Sequence, residues 1–158
     1  MNFAKAQKLI MNGLLAGNRM GRFNIDENHI LVTPDGFRAF IFPVSTICFN
    51  LERIREIDAF PIAEIVNDEN ELKLTPDCRL DERNKKTYRR LKGNGKNVFV
   101  NITFLECFQN PRFFQGESKT STVVVTEGAT GANIPVGIVL PIRSTWDDGT
   151  YYGDTGRM

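Results

Sequence analysis

Apolar residues at Phe3, Ala6, Ile10 and Leu14 recur at spacings of three and four, with Leu9 and Leu15 widening the stripe and Lys5 and Lys8 off it. That period predicts an amphipathic helix with one buried face. Gly17-Asn18 supplies the stop, because glycine accepts the left-handed conformation that closes a helix. Two lysines ahead of an apolar run also resemble a secretory signal. Asn12 and Gly13 interrupt that run, however, and the block is too short to span a bilayer, so a helix of a soluble domain is expected.

Beyond the helix the pattern turns to strands. His29–Thr33 and Phe37–Phe42 are rich in β-branched and aromatic residues and flank Pro34-Asp35-Gly36, a strong turn signal, so a β-hairpin is predicted. Asn50–Ile57 is expected to hold a short helix, with Leu51, Ile54 and Ile57 on one side. Ile62–Val66 and Glu71–Thr75 read as strands joined by Asn67-Asp68-Glu69-Asn70. A second hairpin joins Tyr88–Lys92 to Asn97–Val100 through Gly93-Asn94-Gly95. Asn101 is placed to N-cap a helix over Ile102–Gln109 that ends at Asn110-Pro111. Arg112–Gln115, Thr122–Thr126 and Val136–Ile142 complete the strands, the middle one expected at a sheet edge. The order is helix then strands, twice. It predicts an α+β domain over residues 1–143, two helices packed on one face of an antiparallel sheet, with 144–158 as a mobile tail.

Composition refines this picture. With 158 residues the chain fits one domain with its own core. Twelve Phe against one Trp and three Tyr bring large apolar area with few polar atoms to satisfy, so most should be buried. The three cysteines, Cys48, Cys78 and Cys107, form no CxxC pair, which argues against a disulfide framework or a structural zinc site. They are expected as small buried side chains in a reducing, cytoplasmic setting.

Catalytic constellations are scarce. His29 is the only histidine, so a His-based metal site or a Ser-His-Asp triad lacks material. Asp81-Glu82 and Asp147-Asp148 fall in polar stretches that rarely house acid–base chemistry, and they read as solvated loop charges. Gly93-Asn94-Gly95-Lys96 is no phosphate loop, because Arg90 and Asn97 stand where that motif needs Gly and Ser or Thr. A non-enzymatic chain is expected, with no cofactor, metal, membrane span or small-molecule substrate.

Charge is the more informative signal. The whole chain carries a formal +1, but Arg79–Lys96 holds eight basic residues against two acidic, a local +6. Glu52–Asp77 holds eight acidic against three basic, a local −5. Lys86, Tyr88, Arg89, Arg90, Lys92 and Lys96 therefore stand as nucleic-acid candidates, cations for phosphates with an aromatic ring for stacking. The opposed patches also permit head-to-tail self-association, although a monomer or small oligomer is expected.

The last third of the chain carries a resemblance. Val100-Asn101-Ile102-Thr103-Phe104-Leu105-Glu106-Cys107-Phe108 resembles the start of the last helix in the C-terminal domain of bacterial DNA polymerase sliding clamps. Gly137-Ile138-Val139-Leu140-Pro141-Ile142-Arg143 is similar to that family's closing strand, with its hydrophobic-Pro-hydrophobic-Arg signature. The resemblance implies a clamp-like fold of two helix-plus-strands units. It also implies a partner-peptide pocket at Val139, Leu140, Pro141, Ile142 and Arg143. The chain has the length of one clamp domain, and Ile102–Gln109 carries Glu106 as its only charge, so the pocket transfers better than DNA encirclement. The expected function is a clamp-like interaction module in DNA metabolism, of the kind a phage or mobile element carries. A structural protein polymerising through its charge patches is the alternative.

Overall fold

The first helix, α1 (Phe3–Ala16), forms as its stripe predicts. The Asn2 side chain accepts a hydrogen bond from the Lys5 N–H at 3.0 Å, and Gly17, at φ 72°, closes the other end. Ala6 and Ile10 are fully buried, but Leu15, expected to widen the stripe, is 87% exposed and does not share the buried face. The computed structural model describes residues 1–117, 121–128 and 133–142; Arg143 and the predicted tail 144–158 lie outside the described residues.

The described residues hold nine strands: β1 (Gly21–Asn24), β2 (His29–Thr33), β3 (Arg38–Pro43), β4 (Glu71–Asp81), β5 (Lys86–Gly93), β6 (Lys96–Asn101), β7 (Arg112–Gln115), β8 (Val123–Glu127) and β9 (Ile134–Val139). They form one curled antiparallel sheet in the order β1-β2-β3-β9-β8-β7-β4-β5-β6. The first six strands in that order are two meanders, β1-β2-β3 and β7-β8-β9. They meet through the antiparallel pair β3–β9, in the register Arg38↔Val139, Ala39↔Ile138 and Phe40↔Gly137. A third meander, β4-β5-β6, hangs on β7 by only Glu71↔Phe114 and Leu72↔Phe113.

Strand alternation divides the apolar residues between two faces. On one face Ile30, Val32, Phe40, Phe42, Val123, Val125 and Val139 pack with Ala6 and Ile10 of α1, and Leu72, Leu91, Val98 and Val100 of the third meander join them. On the other face Phe23, Leu31, Ala39, Ile41, Val124 and Ile138 are covered by Ile57, Phe60, Ile62, Ile65 and Val66. The central strands are buried on both sides, which is why β2 and β3 read as near-continuous apolar runs.

Several sequence expectations need correction. The second helix is a single 3₁₀ turn, Ile102–Leu105. Asn101 caps it as expected, accepting from the Thr103 N–H at 3.0 Å, but β-branched and aromatic residues disfavour extension and the Phe108 ring turns inward. It does share the face of α1: the Asn2 N–H donates to the Cys107 carbonyl at 2.8 Å and Lys5 Nζ to Glu106 Oε2 at 2.9 Å. Ile62–Ile65 is a short helix, α2, rather than a strand, and it covers the opposite face of the sheet. Its Ile62, Ile65 and Val66 fit a helical turn as well as a strand. The segment from Asn50 supplies only a 3₁₀ turn, Leu51–Arg53, before running extended beside β1. β4 continues past Thr75 through a bulge between Leu74 and Cys78, where Pro76 has no N–H to give. β8 is no edge strand but lies between β9 and β7. Only Cys107 is a buried cysteine; Cys78 is half-buried and Cys48 is exposed.

Gly137 shows how close the packing is. A Cβ there would stand 2.6 Å from the Ala39 carbonyl oxygen and 2.7 Å from Cζ of Phe108. Gly137→Ala is therefore expected to destabilise by about 1–2 kcal/mol through overpacking. A urea denaturation midpoint equal to that of the unmodified chain would show that Phe108 does not lie on this strand.

Candidate functional site

The site begins at the β2–β3 turn. Thr33 Oγ1 accepts from the Gly36 N–H at 2.8 Å, and Asp35 Oδ1 accepts from the Phe37 N–H at 2.9 Å. Gly36 takes φ 83°, which glycine adopts without strain. These bonds fix the turn and hold Phe37 outward, 60% exposed.

After β9 the chain crosses from this turn to β6. The Leu140 N–H donates to the Phe37 carbonyl and the Ile142 N–H to the Phe99 carbonyl, each at 2.9 Å. Pro141, which has no N–H, falls between the two donors. Leu140, Pro141 and Ile142 thereby wall a cleft of about 330 Å³ with Phe37, Phe104 and Tyr88, while Asn101 and Lys86 supply its polar rim. The Arg38 guanidinium lies 4.9 Å above the Phe104 ring and steadies that wall. Phe37 and Leu140 also border a second hollow of about 290 Å³, floored by Leu31, Ala39 and Ile138 and flanked by Phe60. Thr122 lines this hollow, and its Oγ1 is buried without a hydrogen-bond partner among the described residues. The two hollows form an apolar groove with Phe37 and Leu140 at the divide.

The predicted pocket residues fall unevenly around this groove. Leu140, Pro141 and Ile142 line it. Val139 is fully buried in the core, and Arg143 lies outside the described residues.

The basic candidates are not brought together as one exposed surface. Lys86 is exposed at the cleft rim and Lys92 is exposed further along β5. Tyr88 is 5% exposed, and its hydroxyl accepts from Asn84 Nδ2 at 3.1 Å, so its ring is packed and not open for stacking. Arg89 Nε donates to the Thr75 carbonyl at 2.6 Å. Arg90 is held by Asn97 Oδ1 at 2.8 Å and by Asp77 at 3.3 Å. Lys96 is 7% exposed and its ammonium donates to Gln115 Oε1 and the Gly116 carbonyl; burial lowers its pKa.

The opposed patches are partly neutralised within the chain. Asp77 of the acidic stretch pairs with Arg90 of the basic one, Glu71 with Arg112, and Glu56 with Arg22. Fewer charges remain for contacts between copies than the sequence count implies.

Phe37 is not among the residues expected from the sequence, because its apolar type places it in the core and only the folded turn shows it held outward. Among the described residues no helix is long and apolar enough to cross a membrane. Compared with known proteins, the chain matches no family model, no curated protein and no solved structure.

Proposed function

We propose that this protein is a non-enzymatic, clamp-like interaction module of DNA metabolism that captures a linear segment of a partner protein in the groove divided by Phe37 and Leu140. The observation that carries the proposal is convergence. Leu140, Pro141 and Ile142, singled out by the clamp resemblance, and Lys86, singled out by charge, line one cleft although more than fifty residues separate them. The fitting occupant carries two bulky apolar side chains, one for each hollow, and an acidic residue to meet Lys86. A main-chain group of that segment would satisfy Thr122 Oγ1. The paired meanders, each entered from a helical segment and joined at β3–β9, support the two-unit clamp-like part of the proposal. Nucleic-acid contact narrows to Lys86, Lys92 and the half-buried Arg89.

Fluorescence-polarisation titration with a panel of short peptides, each bearing two leucines or phenylalanines beside an aspartate, tests it. Saturable binding is expected. Phe37→Ala should weaken it about tenfold or more, since burying one such ring contributes on the order of 1.5–3 kcal/mol. Lys86→Gln should weaken it as well and remove most of its salt dependence. Because Phe37 is exposed, its replacement should leave the melting temperature unchanged. If no peptide saturates, or if Phe37→Ala binds as tightly as the unmodified chain, the groove is not the docking site.

A further inference from the structure

Arg19 and the pair Arg53 and Arg55, more than thirty residues further along the chain, line one hollow at the C-terminal end of α1. The hollow, of about 400 Å³, is lined by Leu14, Asn18 and Met20 together with Arg19, Arg53 and Arg55. No acidic residue lines it. Among the described residues none of the three guanidiniums is in an ion pair. Glu56, the nearest acid in sequence to Arg55, is already engaged by Arg22 at 3.3 Å. The hollow shares no lining residue with the groove over Phe37, so it stands independently of the function proposed above.

The frame behind these arginines is fixed. Arg22 Nε donates to the Leu51 and Ile54 carbonyls at 3.0 and 2.8 Å, which ties the segment to β1. The Arg22 N–H donates to the Arg55 carbonyl and the Ile57 N–H to the Arg22 carbonyl, each at 2.9 Å. Ile54, 2% exposed, is buried between the two arginines and anchors both. At the end of α1, Gly17 at φ 72° and the Asn18 N–H bonded to the Gly13 carbonyl at 2.9 Å set the turn that carries Arg19.

Glu52, beside Arg53 in the 3₁₀ turn, is exposed and does not line the hollow. Three like charges therefore border it with no acid in its lining; they repel one another, and a site of this kind is stabilised by an anion. The C-terminal end of α1 offers only about half an opposing charge, and its last carbonyls are partly capped by the Gly17 and Asn18 N–H groups. Guanidinium forks match phosphate oxygens two at a time. The volume lies within the range of small-molecule sites, about 300–1,000 Å³. We infer that Arg19, Arg53 and Arg55 form a binding site for an oligophosphate, a run of adjacent phosphoryl groups carrying about three negative charges. Such a group belongs to a free polyphosphate or nucleoside triphosphate; a nucleic-acid backbone presents related chemistry, spaced more widely.

Isothermal titration of the full chain with sodium tripolyphosphate, and separately with a single-stranded 20-mer oligonucleotide, distinguishes the sources. Tripolyphosphate is expected to bind saturably below millimolar concentration and to raise the melting temperature. Arg53→Ala and Arg55→Ala should each lower affinity about tenfold or more, the scale of a charge-assisted hydrogen bond. Arg53→Lys should recover only part of that loss, because it keeps the charge and loses the fork. Binding of the oligonucleotide alone, abolished in an Arg19, Arg53, Arg55→Ala triple variant, would support the site with nucleic acid as the phosphate source. All three side chains are exposed, so the variants should fold, and an unchanged melting temperature without ligand verifies this. Failure of both probes to bind, or binding undiminished in the triple variant, would overturn the assignment.

Discussion

Phe40→Ala is expected to destabilise the protein by about 3–5 kcal/mol, the upper range for removing a buried aromatic ring. Phe40 is fully buried, with its ring centroid 6.3 Å from that of Phe42 and 6.0 Å from that of Phe108. It sits on β3 where the two meanders join, and its register partner on β9 is Gly137. A glycine has no side chain to lean into the void, and Phe108 already contacts the position a Cβ would take there. Little can relax into the cavity, which is the circumstance that makes such deletions most costly. Equilibrium urea unfolding measures the loss directly. A cost under about 1 kcal/mol would mean that Phe40 is not at the junction of the meanders. Phe37→Ala, three residues earlier, is the internal contrast: the same chemistry removed from an exposed site should leave stability nearly unchanged.

Where hydrophobic period and turn chemistry agreed, the fold was legible in the sequence. The α1 stripe with its Gly17 stop, the hairpins around Pro34-Asp35-Gly36 and Asn94-Gly95, and the strand at Arg112–Gln115 all needed only local information. Ile62–Val66 reads as a strand from its sequence yet forms a helical turn over Ile62–Ile65, because so short an apolar run does not distinguish the two. Whether it helps build a sheet or covers one depends on residues distant in sequence. β1 passed unnoticed because Gly21-Arg22-Phe23-Asn24 has one large apolar residue, and its pairing with β2 is what makes it a strand. The 3₁₀ turn at Ile102 was overextended because a capping residue marks where a helix starts and not how far it runs.

The candidate sites were legible by residue type and much less by exposure. Counting charges from Arg79 to Lys96 treated each as available, yet Arg90 and Lys96 are held by partners across the sheet. Tyr88 faces the cleft through its packed ring instead of presenting it to solvent. The arginine hollow was invisible for the converse reason. Arg53 and Arg55 lie inside a stretch that sums to −5, and Arg19 stands more than thirty residues away. A linear charge window averages over the neighbours that folding separates.

Glu71→Gln should cost about 1.5–3 kcal/mol near pH 7, the scale of hydrogen bonds to a charged group. Glu71 Oε1 and Oε2 accept from Arg112 Nη2 and Nε at 2.9 and 2.8 Å, a bidentate pair, and Lys73 Nζ stands 3.2 Å away. The Arg112 hydrogen bonds hold the Glu71 carboxyl down at about 2, well below its usual 4.5, against a smaller opposing push from burial. A depressed carboxyl stabilises the folded state fully above the unfolded pKa and loses that contribution as pH falls through the folded one. The difference in unfolding free energy between the unmodified chain and Glu71→Gln should therefore be constant above about pH 5 and shrink between pH 4.5 and 2. A difference that does not change across that window would show that the pair adds nothing through its charge. The position makes the loss consequential, because Glu71 is one of only two register pairs joining β4 to β7. Lys86, Tyr88 and Asn101 reach the cleft from the β4-β5-β6 meander, whereas Phe37, Phe104 and Leu140 reach it from outside that meander. Weakening the joint should let the two walls drift apart, so peptide affinity should fall in Glu71→Gln even though no peptide touches that residue. Loss of stability with peptide affinity intact would show that the meander is held at the cleft by the Ile142–Phe99 hydrogen bond instead.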